Sequence, residues 1–159
     1  MRLISIGCVV ALLSASAAAA QQPAAAAVKT FVSAADVATL VAKAKGERKA
    51  DQPVLVQRLL ELAPYNVNLE YRAAVANAAV HEREAELFYV VDGSATMVTG
   101  GKLVNPSRTN PDNLSGSGIE GGQAQRVRKG DFVMVPQGTP HWFSAIEGTV
   151  VLMSLHLPK

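Results

Sequence analysis

Residues 130–141 read Gly130-Asp131-Phe132-Val133-Met134-Val135-Pro136-Gln137-Gly138-Thr139-Pro140-His141, an order that few folds accommodate. Gly130-Asp131 suits a turn, and four apolar residues then suit a short buried strand. Pro136-x-Gly138 is the chemistry of a second tight turn, because proline presets φ and glycine accepts the left-handed region. The segment therefore predicts turn, strand, turn, and a histidine delivered to the start of the next strand.

The rest of the chain has the same texture. From Pro53 onward, Val54 to Leu62 is one apolar segment, and Val67, Leu69 and Tyr71 alternate with Asn68, Glu70 and Arg72. Leu87 to Val91 reads as a strand ended by a turn at Asp92-Gly93, with Ala95 to Val98 as its hairpin partner. Strand texture returns at His141-Trp142-Phe143 and from Thr149 to Leu157. Residues 105–122 carry prolines, asparagines, serines and glycines with little to bury, and predict a loop. Short strands separated by turn signals define an all-β sandwich or barrel. One helix precedes them, from about Ser33 to Lys45. Ser33 is its N-cap with Asp36 three residues on, Val37, Leu40, Val41 and Ala44 form its apolar stripe, and Gly46 stops it.

The chain has three histidines, 81, 141 and 156. His81 and Glu86 flank Glu82-Arg83-Glu84-Ala85, just before the Leu87–Val91 strand. Imidazole and carboxylate converging from neighbouring strands form a ligand set for Fe, Mn, Ni or Zn.

These residues resemble the two motifs of the cupin family. Gly130, Pro136, Gly138 and His141 match G-x5-P-x-G-x2-H-x3-N at the right spacing, with Ala145 in place of the asparagine. Glu86, Gly93 and His81 match H-x-H-x(3–4)-E-x6-G, with Ala79 at the first histidine. The resemblance covers about residues 54–157 and implies a double-stranded β-helix, or jelly-roll, barrel. It implies one divalent metal held by His81, Glu86 and His141, with Glu86 also able to act as base. It further implies a small organic substrate, oxygenase, isomerase or lyase chemistry, and a homodimer in which the Val54–Leu62 segment pairs with a partner's sheet. The other reading is a metal-free cupin whose polar residues line a ligand cavity.

Several residues take plainer readings. A spare ligand could come from Glu82, Glu84 or His156, although His156, between Leu155 and Leu157, suits a core or cavity position better than a ligand. Glu82 and Glu84 suit a solvated connection. By the period-two rule Phe143 shares the face of His141, and Tyr89 points away from that of Glu86.

The N-terminus differs from everything after it. Arg2, an apolar run from Leu3 to Leu13, and a close at Ala18-Ala19-Ala20 describe a secretory signal peptide over residues 1–20. The run is shorter than the roughly 20 residues of a membrane span, so export to the periplasm or medium is favoured over a retained anchor. Cleavage would remove Cys8, the only cysteine, and with it any thiol chemistry. It would also turn 15 basic residues against 13 acidic into 14 against 13. That balance gives no electrostatic case for nucleic acid or an anionic membrane. Residues 21–53 then form a flexible leader and helix, and 54–159 the barrel.

Overall fold

The computed structural model describes residues 28–159, and the predicted signal peptide and most of the leader lie outside them. The helix α1 spans Ala34–Glu47. Ser33 and Asp36 form a reciprocal capping box, with Ser33 Oγ accepting from the Asp36 amide at 3.1 Å and Asp36 accepting from the Ser33 amide at 3.0 Å. Gly46 does not stop the helix. It lies inside it, and Arg48 takes the extended conformation while its amide still reaches Ala44.

Eleven strands follow among the described residues: β1 Val54–Leu62, β2 Tyr65–Arg72, β3 Ala78–His81, β4 Glu84–Thr99, β5 Lys102–Val104, β6 Ser107–Asn110, β7 Asn113–Gly116, β8 Gly118–Glu120, β9 Gln123–Arg128, β10 Phe132–Val135 and β11 His141–Pro158. Nine belong to one antiparallel sheet that runs β1-β2-β11-β3-β7-β6 and branches through β4 to β9 and β10, and β5 pairs with β8. The architecture is a jelly-roll barrel, within the all-β class that the alternation predicts and of the kind that the family resemblance implies.

The sheet has two apolar faces. Inside, Phe88, Val90, Met97, Val135, Phe143 and Leu152 fill the barrel. Outside, Leu59, Leu69, Tyr71 and Val151 meet Val37, Leu40, Val41 and Ala44 of α1, so the helix packs on the sheet. Each fully buried aliphatic side chain contributes about 1.5–3 kcal/mol.

Three expectations need correction. Asp92-Gly93 is not a hairpin turn, because β4 runs through it and Leu87–Val91 and Ala95–Val98 share one strand. Gly93 has φ +80°, and a Cβ there would lie 2.0 Å from the Thr149 carbonyl oxygen. It marks a sharp bend where β4 presses on β11, whose own pairing register shifts between Ile146 and Val150. Residues 105–122 are not a plain loop, since β6, β7 and β8 fall within them and β7 pairs with β3. The Phe132–Val135 strand is not wholly buried. Phe132 and Met134 point outward, 67% and 53% exposed, where Phe132 stacks on Tyr89.

Candidate metal centre

Four chain segments converge inside the barrel. Gly130, with φ +92°, turns the chain into β10. Gly138, at φ +72°, closes the turn in which the Thr139 amide donates to the Pro136 carbonyl, and β11 then begins at His141. The same turn is bolted to the first motif, because the Gly138 amide donates to the His81 carbonyl at 2.8 Å. Glu86 lies on β4 with Phe88 and Val90 on its face, all three buried.

His81, Glu86 and His141 meet. His81 Nε2 is 3.2 Å and His141 Nε2 3.1 Å from Glu86 Oε2, and the two imidazole centroids are 5.2 Å apart. His156, expected at a core or cavity position, joins them. It lies opposite Glu86 in the β4/β11 register, with Nε2 3.3 Å from Glu86 Oε1. His81, Glu86 and His156 offer one ligand atom each, all within 4.8 Å of one another.

Each histidine is held from behind. His81 Nδ1 faces Asn113 Oδ1 at 2.7 Å, His141 Nδ1 the Thr139 carbonyl at 3.2 Å, and His156 Nδ1 Glu84 Oε1 at 2.7 Å. Asn113 comes from β7, within the stretch that composition alone marks as loop. Arg108 clamps that stretch through Glu82 at 2.6 Å, and Arg83 through Asp112 at 2.8 Å. Glu82 is thus a surface brace, whereas Glu84 belongs to the site.

The electrostatics follow from this packing. Burial by itself would raise the Glu86 carboxyl. Hydrogen bonds with His141 and His81, and the charges of His141 and His156, outweigh it and hold the group at about 2. Burial also opposes a proton on His81, but hydrogen bonds to Glu86 and Asn113 and the charges of Glu86 and Glu84 lift it above its ordinary value.

With Nδ1–H donated to acceptors, each neutral ring turns an Nε2 lone pair toward the Glu86 oxygens. Acceptor then faces acceptor, which requires a positive species between them: protons on the rings or one shared cation. Donors each about 2.1 Å from one ion stand roughly 3.0–3.4 Å apart. The imidazole–carboxylate separations of 3.1–3.3 Å fall in that range, while the group whose ligand atoms all lie within 4.8 Å of one another is His81, Glu86 and His156, and His141 meets it through Glu86.

The surroundings are polar on one side. A cleft of about 470 Å³ opens beside Glu84 and Asn113, rimmed by Arg83, Asp112 and Lys159. A larger cavity, about 650 Å³, is lined by Val80, Leu103 and Leu114. Val80 alternates with His81, so that cavity lies behind β3 and away from the histidines. Deeper in the barrel, Glu70 accepts from Arg72 and from Ser154 Oγ at 2.8 Å, while Arg72 lies over the Phe143 ring. Phe143 stands edge-on to Phe88, on the face of His141 as expected.

This fold and this histidine–carboxylate centre define a cupin. The Cupin family pattern matches residues 50–157, and the chain belongs to that family. No curated protein sequence matches it significantly. Among solved structures, KdgF from Halomonas sp. is similar at TM-score 0.51 and 18% identity, over 70% of this chain and 86% of that one. The crystal structure of FeII HppE is similar at TM-score 0.52 and 15% identity, over 69% of this chain and 54% of that one. This chain thus spans about half of HppE, and identities this low establish the fold alone. Among the described residues no helix is long and apolar enough to cross a membrane.

Proposed function

We propose that this cupin holds one divalent transition metal (Fe, Mn, Ni or Zn) through His81, Glu86 and His141, and acts on a small organic molecule. The reaction class is oxygenase, isomerase or lyase. One observation carries the reading: three imidazoles, each anchored at Nδ1, turn Nε2 toward a single buried carboxylate. Protonating all the rings would bury several charges at high cost, while one ion beside Glu86 gives the Nε2 lone pairs turned toward it a positive partner. Iron is counted among the candidates because FeII HppE, similar in fold, is named as an iron protein.

A bound ion would supply Lewis-acid activation of a substrate oxygen. The protein's own residues do the rest. Glu86 stays ionised at any physiological pH, as a ligand must, and is the carboxylate we assign to take a proton from substrate. Phe88 and Phe143 keep the inner end of the site dry. The cleft beside Glu84 and Asn113 is the entry for a polar small molecule.

Export and dimerisation complete the proposal. The first twenty residues support cleavage after Ala20, checked by N-terminal sequencing of the mature protein. Family resemblance supports a homodimer, as does Val56, 53% exposed on β1, which pairs with β2 alone among the strands. A monomeric mass in solution at micromolar concentration would remove the dimer.

Metal content of natively exported, untagged protein tests the centre. Near one equivalent is expected in the wild type, lost in His141→Ala. Metal in neither protein, even after reconstitution, would leave a ligand-binding barrel in place of a metalloenzyme.

A further inference from the structure

The full cupin pattern carries an imidazole where this chain has Ala79. Ala79 shares the face of His81, two residues away, and lies opposite His141 in register. A methyl group there cannot ligate. The last strand supplies an imidazole from the other direction. His81 and His141 both approach Oε2 of Glu86, while His156 approaches Oε1, the side those two leave open.

We propose that His156 is the third imidazole ligand of the centre and that Glu84 is the positioning residue that aims it, an inference that rests on the metal reading above. Glu84 and Glu86 are two apart on β4 and point the same way, and β11 brings His156 directly opposite Glu86. Glu84 Oε1 then lies 2.7 Å from His156 Nδ1 and 3.8 Å from His81 Nδ1. The acceptors behind His81 and His141 are a neutral amide and a backbone carbonyl, so of the three rings His156 has the nearest carboxylate behind it. A carboxylate accepting the Nδ1 proton fixes the tautomer with Nε2 free and strengthens Nε2 as a donor. The chain thus replaces a ligand missing from β3 with one from β11. Glu84 prevents that ring, 18% exposed at the barrel mouth, from rotating toward the cleft.

Titration of the metal-free chain with Co²⁺, followed by its visible d–d absorption, tests both parts. Glu84→Ala should weaken Co²⁺ binding about 10–100-fold. Glu84→Gln, which keeps an acceptor oxygen, should recover much of the loss. His156→Ala should lose at least as much and change the absorption pattern. The double variant should bind little worse than His156→Ala alone, because Glu84 acts chiefly through that ring. Adding Ala79→His to His156→Ala should restore binding. Metal-free Glu84→Gln should melt like the wild type. Binding in His156→Ala equal to the wild type would overturn the inference and leave His81, Glu86 and His141 standing. Losses from Glu84→Ala and His156→Ala that simply add would remove the positioning role. A wild-type chain that takes up no Co²⁺ would overturn the metal reading and this inference together.

Discussion

The amide of Gly138 donates to the carbonyl of His81 at 2.8 Å, so the turn that presents one candidate ligand is hydrogen-bonded to the backbone of another. The two motifs, nearly sixty residues apart in sequence, are thereby one mechanical unit. Gly138 adopts φ +72°, and a Cβ there would meet no atom within 4 Å. Gly138→Ala therefore strains the backbone without a clash. It should cost about 1–2 kcal/mol in urea unfolding and weaken metal binding as His81 and His141 drift apart.

Gly93 presents the opposite case. Its φ of +80° combines with a Cβ position only 2.0 Å from the Thr149 carbonyl oxygen. Gly93→Ala should cost about 2–4 kcal/mol, clearly more than Gly138→Ala. Denaturant midpoints of the two variants, measured side by side, check the ranking.

Protonation of the metal-free centre makes stability depend on pH in two directions. The Glu86 pKa falls from 4.5 to about 2 on folding, so its contribution is present above pH 4.5 and is lost as pH drops toward 2. The His81 pKa rises on folding, so its contribution is full below pH 6.5 and disappears as pH climbs through the folded value. Metal-free protein should melt highest between about pH 4.5 and 6.5. Metal competes with protons for the rings, so the gap in Tm between loaded and metal-free protein should widen from pH 5.5 to 7.5. A gap that stays constant over that range would count against imidazole ligation.

Glu70 and Arg72 form a pair that is largely buried, with Ser154 completing the carboxylate's partners. Glu70→Ala would leave Arg72 without its counter-charge and should destabilise by about 3 kcal/mol. Replacing both by apolar residues of similar size should cost much less. A double-mutant cycle by thermal unfolding measures the difference.

What local chemistry specifies was legible in the sequence. The capping box announced α1 at Ser33, and the turn residues around Gly130 and Gly138 announced the arrival of His141. Asp92-Gly93 misled because a hairpin turn and a bent strand both need a residue at positive φ, and local sequence does not distinguish them. The β6–β8 strands were missed because they are stabilised by pairing, β6 with β7, β7 with β3 and β8 with β5, rather than by apolar alternation. His156 could be named only as one possible spare ligand, beside Glu82 and Glu84, for a different reason. Alternation shows which residues share a face, but not that the residue opposite His156 is Glu86, seventy positions earlier.

The β4/β11 ribbon has a consequence for how the protein assembles. Its two strands pair from Glu84 with Pro158 at one end to Thr99 with His141 at the other, and laid flat it would stretch roughly 50 Å. Yet His141, from one end, touches Glu86, near the opposite end. Only a ribbon folded back on itself at Gly93 allows that. Before that happens an ion finds only His81, Glu86 and His156, which lie toward one end, and His141 is added when the ribbon folds back. Completing the site with His141 thus depends on long-range pairing, and an ion held there would act as a clasp across the two ends of the ribbon.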